Sequence, residues 1–125
     1  MNTTLVLCET CGQDADAALV VRKGELFAAE VEGLLQEQLA AGAPPLTIRR
    51  TRCLMACQRH CAAVLQAPGK IVYVLGGFAP EREAAEALLD YARKYQLSAS
   101  GQVPFRTWPA GIKGKFIARI PQLDA

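Results

Sequence analysis

The sequence predicts one α/β domain, a small mixed β-sheet flanked by helices and followed by an extended carboxy-terminal tail. Three observations carry this expectation. Two short β-prone runs lie on either side of an amphipathic helical stretch; a hairpin pattern and a second helical stretch follow; and from Ser98 onward three prolines and three glycines break any regular period. A chain of 125 residues, 51% of them hydrophobic and 21% charged, has room for one core, and its composition excludes disordered and collagen-like classes. Residues 1–125 are therefore read as one domain, with 98–125 as a tail packed on it.

Thr3 to Leu7 is a β-prone run that delivers the chain to Cys8, and the polar, Gly-containing stretch Glu9 to Asp16 reads as a loop. From Gly24 to Ala41, the residues Phe27, Val31, Leu34, Leu35 and Leu39 fall on one face of a helix, and Gly42 with Pro44 and Pro45 ends it. Leu46 to Arg52 alternates apolar with polar residues, the period of a half-buried strand, and leads directly to Cys53. Ala62 to Gln66 and Ile71 to Leu75 are β-prone runs joined by Ala67-Pro68-Gly69-Lys70, a hairpin signal.

Pro80 fits a first helical turn, Glu81 and Glu83 suit its positive end, and Arg93 and Lys94 suit the other end. Between them Ala85, Leu88, Leu89, Ala92 and Tyr95 share a face, and the spacing of Tyr73 and Tyr91 makes both packing residues. Phe105, Trp108, Phe116 and Ile117 are expected to pack back from the tail. Trp108 reads as a cap on the core before it reads as an anchor for a partner. Strand, crossover helix and strand form a parallel unit, and a hairpin with a final helix completes the sheet. That order is a thioredoxin-like arrangement.

The stretch Met1 to Val6 lacks a basic segment and a long apolar run, and no segment approaches the roughly 18 apolar residues that span a bilayer. The expectation is a cytoplasmic chain with no membrane partner, where thiols stay reduced and five cysteines read as metal ligands or redox groups rather than structural disulfides. A net charge of +2 gives no argument for nucleic acid, but it is unevenly spread. Arg49, Arg50, Arg52 and Arg59 flank a cysteine group; Arg106, Lys113, Lys115 and Arg119 occupy a tail whose only acid is Asp124. These are either solvated charges or a docking surface for an acidic partner.

The chemistry lies in Cys8-Glu9-Thr10-Cys11 and in Cys53-Leu54-Met55-Ala56-Cys57-Gln58-Arg59-His60-Cys61. Both groups follow expected strands, and parallel neighbours present their carboxyl ends on one edge of a sheet, where sites tend to form. Pairs of cysteines two to four residues apart can each bind one iron of a 2Fe-2S centre, and small Ala56 leaves space for inorganic sulfide. The same four thiolates suit tetrahedral zinc, and Cys8-x-x-Cys11 alone resembles a thiol-disulfide motif. No nucleophile with its base, phosphate-binding glycine loop or paired carboxylate is found, so a carrier is expected rather than an enzyme.

The run Cys53-Leu54-Met55-Ala56-Cys57 is similar to the Cys-Leu-Gly-Ala-Cys signature of thioredoxin-like 2Fe-2S ferredoxins, including the small ferredoxin-like subunit of respiratory NADH dehydrogenase. Nearly the whole chain resembles the DUF1636 family of predicted metal-binding proteins. The matching residues are Cys8-Glu-Thr-Cys11, Cys53-Leu-Met-Ala-Cys57-Gln-Arg-His-Cys61, Ala67-Pro-Gly-Lys70, Gly101-Gln-Val-Pro-Phe105 and Ile117-Ala-Arg-Ile-Pro121.

The resemblance implies a cluster held by Cys8, Cys11, Cys53 and Cys57, redox partner proteins and a link to cobalamin biosynthesis, and the basic residues above would suit acidic docking surfaces on such partners. Arg52 and Arg59 would tune charge or guide docking, and a homodimer is compatible with the resemblance. Two departures stand out: Cys8 and Cys11 are closer than in related ferredoxins, and Cys61 is an additional thiol. Cys61 replaces the proline that precedes the next strand in thioredoxin-like folds, which brings it into consideration as a metal ligand or a substitute for Cys11. His60 is a further candidate donor. The alternative function is a zinc- or cobalt-binding structural or metal-delivery module using the same cysteines.

Overall fold

The computed structural model describes residues 3–8, 23–51, 62–79 and 81–121. Among them, in chain order, are β1 (Thr4–Cys8), α1 (Lys23–Ala40), β2 (Thr47–Thr51), β3 (Ala63–Gln66), β4 (Val72–Leu75), α2 (Arg82–Leu97) and β5 (Phe116–Ile120). Two single-turn 3-10 segments, Phe105–Thr107 and Ala110–Ile112, precede β5. The strands form one sheet in the order β2-β1-β3-β4-β5. β1 and β2 are parallel, whereas β3 pairs antiparallel with β1, β4 with β3, and β5 with β4.

The two-residue period of a strand divides β1 between the faces of the sheet. Leu5 and Leu7 are buried in the core, while Thr4, Val6 and Cys8 lie on the opposite face. Across the sheet Leu5 is level with Ile48 and Leu65, and Leu65 with Tyr73, so the core face is a continuous apolar surface. Both described helices pack on it. α1 contributes Phe27, Val31, Leu34 and Leu35, the face expected from their spacing; α2 contributes Ala85, Leu88, Leu89, Ala92 and Tyr95, joined by Tyr91. The two described helices, α1 and α2, lie side by side over one face of the sheet.

Local chemistry sets the ends of these elements. α1 stops where the amides of Gly42 and Ala43 bond back to the carbonyls of Leu39 and Gln38. The hairpin turns through Pro68 and Gly69; Gly69 has φ +75° and Lys70 N donates to Ala67 O at 3.2 Å, the geometry of a type II turn. α2 begins at Arg82, with Glu81 as its N-cap; Pro80, expected in the first turn, lies outside the described residues. At the far end Lys70 Nζ donates to the carbonyls of Tyr95 and Gln96, both at 3.0 Å, supplying a cation to the negative end of α2.

The tail differs from expectation. It is not merely extended: Phe116–Ile120 adds a fifth strand to the sheet beside β4. Two packing expectations are reversed, those for Ile117 and Phe105, and register explains the first. The ladder steps from Leu75 opposite Phe116 to Val74 opposite Ala118, which leaves Ile117 in a bulge and 38% exposed. Phe105 is 64% exposed, its ring leaning on Trp108. The tail residues that do fill the core are Val103 and Ile112, with Phe116 and Trp108 packed at its margin. Trp108 is fixed by its indole N–H, which donates to Val103 O at 2.8 Å, consistent with a cap on the core.

Gly101 marks where the tail leaves α2. Its φ is +89°, and a Cβ there would lie 2.8 Å from Tyr95 Cε2 and 3.3 Å from Ile71 N. Gly101→Ala therefore meets both a disfavoured backbone region and a collision, and is expected to lower stability by more than about 1 kcal/mol. Urea unfolding of the two proteins checks this.

Candidate metal centre

One end of the sheet gathers the strand ends that border the cysteine segments. β1 ends at Cys8 and β2 ends level with it at Thr51. β3 starts at this same end: Ala62, immediately before it, accepts a hydrogen bond from Cys8 N at 3.0 Å. β4 also ends here, since Leu75 is opposite Ala63, and β5 begins here, with Phe116 opposite Leu75. The segments 9–22 and 52–61 thus leave and re-enter the described structure around one rim.

Cys8 is the sequence-predicted ligand that can be placed. It is 1% exposed and closes β1 on the face opposite the helices. Cys11, Cys53, Cys57 and Cys61, with His60, Arg52 and Arg59, lie outside the described residues. Among the described residues no group of three His, Cys, Asp or Glu side chains is placed to hold a metal ion.

The helices bring their amino-terminal ends toward the rim, each with a glutamate in its first turn, Glu25 in α1 and Glu83 in α2. Phe27, in the second turn of α1, stacks on Phe78, three residues beyond β4, with ring centroids 5.0 Å apart. That contact locates the beginning of α1 near the rim. α2 starts from the segment that leaves β4 there, and at its other end Tyr95 Oη donates to Ile71 O at 2.6 Å. Both helices therefore direct their amino-terminal ends toward the end of the sheet where β1 closes at Cys8. The segment Gly76 to Phe78 is held to the tail: Gly76 N donates to Lys115 O at 2.8 Å, and Lys115 Nζ donates to Gly77 O at 2.7 Å.

Among the described residues, the basic side chains do not form one continuous patch. Arg49 and Arg50 belong to β2, at one edge of the sheet, where Arg50 pairs with Glu32 of α1. Arg119 belongs to β5 at the other edge, and Arg106 and Lys113 lie in the segment leading to it. Four strand spacings, about 19 Å, separate the two edges. Lys115 is committed to the Gly77 carbonyl, whereas Arg106, Lys113 and Arg119 are exposed.

Beneath the β5 edge is a tyrosine cluster. Tyr73 meets Tyr91 and Tyr95 edge-on, with centroids 5.9 Å and 6.1 Å apart. Burial raises the phenol pKa of both helical tyrosines, that of Tyr95 to about 12, so they pack as neutral rings. Tyr73 and Tyr91, expected from their spacing to be packing residues, are both buried. The Phe27–Phe78 stack is not legible in the sequence, where its only sign is an isolated aromatic residue after a Gly-Gly pair.

No helix among the described residues is long and apolar enough to cross a membrane. No curated protein and no solved structure matches the chain. The sequence model of one family, described as a protein of unknown function (DUF1636), matches residues 5–122, and the chain belongs to that family.

Proposed function

We propose that the protein is a small 2Fe-2S electron carrier of the cytoplasm on a thioredoxin-like fold, without enzymatic activity of its own and linked to cobalamin biosynthesis. The observation that carries this reading is the meeting of Cys8, Thr51 and Ala62 at one rim. Chain length does the rest. Cys11 is three residues from Cys8, Cys53 two from Thr51, and Cys61 one from Ala62, so each is tethered within about 11 Å of an anchor on that rim. Cys57 lies midway in a segment whose two ends are both anchored there.

The parallel β1-α1-β2 unit, followed by an antiparallel hairpin and α2, supports the thioredoxin-like reading. The donor chemistry fits: thiolates in two pairs are the set that a 2Fe-2S cluster takes, and Cys8 is buried rather than displayed to solvent. When bound, such a cluster supplies one-electron transfer. At the rim the chain's own groups would hold the thiolates, with the amino-terminal ends of α1 and α2 directed toward the same end of the sheet and the Cys8 amide satisfied by Ala62. Cys61 competes with Cys11 as fourth ligand because it directly precedes the residue bonded to Cys8. Redox partners would approach this rim.

The alternative of a zinc clip has less to explain. Helices and sheet already close a core of large apolar side chains, so a metal staple is not needed for folding. Anaerobically purified protein is expected to be red-brown and to bleach on reduction with dithionite. A colourless protein whose spectrum does not respond to dithionite would overturn the proposal.

A further inference from the structure

The β5 edge carries a trough that the rim chemistry does not use. Two adjoining hollows of about 570 and 340 Å³ share Tyr73, Trp108 and Arg119 as lining; Gln102 and Phe105 wall the larger, and Phe116 the smaller. The floor is aromatic and rigid. Trp108 is fixed by its bond to Val103 O, and Phe116 lies against Trp108, Tyr73 and Tyr91 with centroids 4.7 to 5.4 Å apart. Phe105 stands exposed beside it with Lys113 Nζ 5.1 Å from its centroid.

Charge and backbone both point to one kind of occupant. Residues 98–121 contain Arg106, Lys113, Lys115 and Arg119 and no acid. Among the described residues neither Arg106 nor Arg119 enters an ion pair, in contrast to Arg50 and Arg82, which are matched to glutamates. Among the described residues β5 is an end strand, so its outer N–H and C=O groups form a template for another strand. A segment added there would set alternate side chains over the trough and the flanking cations, combining backbone pairing, aromatic pockets and opposite charge.

We propose that the β5 edge and the Tyr73–Trp108–Phe116 trough form the docking site for an extended, acidic segment of the partner protein. The partner is the one required by the electron-carrier reading, on which this proposal rests. Its position is three strand spacings, about 14 Å, from β1. The segment therefore tethers the partner beside β5 and leaves the Cys8 end of β1 uncovered.

Trp108 is the only tryptophan and lines both hollows, so its emission reports occupancy directly. The probe is a blocked peptide alternating Glu with Leu; the control alternates Lys with Leu. Saturable change with the first peptide, weakened by salt and weakened about tenfold by Arg119→Glu, is expected, and that variant should gain response to the Lys peptide. Arg119→Gln, which removes charge without reversing it, should fall between. Equal responses to both peptides, no response to either, or a stronger response to ADP than to the acidic peptide would overturn the proposal. Metal analysis separates the two readings: red-brown protein without a peptide response refutes the trough alone, and colourless zinc protein that binds the acidic peptide refutes the cluster alone.

Discussion

Protein carrying Cys53→Ser is expected to purify without colour and with at least about tenfold less iron than the parent, because even changes outside the ligand shell weaken metal sites by that factor. The alcohol of serine has a much higher pKa than a thiol and is a harder donor, so it does not replace a thiolate on iron. Cys57→Ser should behave alike. The informative comparison is between Cys11→Ser and Cys61→Ser, since both residues are tethered within a few residues of anchors on the Cys8 rim. Loss of colour with Cys11→Ser and retention with Cys61→Ser supports the ligand set Cys8, Cys11, Cys53 and Cys57; the opposite result makes Cys61 the fourth ligand. The buried core is built from residues of both helices and three strands, and these variants leave it intact. The apoproteins should therefore keep the far-ultraviolet dichroism of the parent, and loss of that signal would show a metal-dependent fold.

Phe27→Ala is expected to lower stability by about 3 to 5 kcal/mol, the range for removing a large buried aromatic side chain. Phe27 is 1% exposed, and its stack on Phe78 joins the early turns of α1 to the segment beyond β4. Phe27→Leu retains most of the volume and should cost less than about 1.5 kcal/mol. Urea unfolding of the three proteins measures the difference. The same substitution removes a contact that sets the start of α1 near the rim, so Phe27→Ala should also release iron faster to a chelator than Phe27→Leu. Equal release from both would separate the stack from the metal centre.

Much of this architecture is legible in sequence where local patterns and tertiary packing agree. The face of α1 follows from the spacing of Phe27, Val31, Leu34 and Leu35; the β3-β4 hairpin follows from Pro68-Gly69; and the parallel pairing that sets Cys8 level with Thr51 follows from two strands separated by one helix. β5 is different. Phe116-Ile-Ala-Arg-Ile120 has suitable side chains, but its strand character depends on pairing with β4, and its single-residue bulge places Ile117 outside where simple alternation fails. Val103 and Ile112 are isolated apolar residues in a Pro- and Gly-containing stretch, and an isolated residue has no period to reveal its burial.

The site is legible to a different degree. Cysteine spacing identifies thiolate chemistry and strand order predicts a common edge, and the described strand ends meet at such an edge. The separation of the basic residues between β2 and β5 could not be read from the sequence, because spatial order places these strands at opposite limits of the sheet.

The most direct test of the central claim is the quantity of iron, acid-labile sulfide and zinc per chain in anaerobically purified protein. Two irons and two sulfides with negligible zinc are the predicted result, since four thiolates in two pairs are the set that two irons would take. One zinc per chain without sulfide would contradict it and leave the same cysteines as a zinc-binding module.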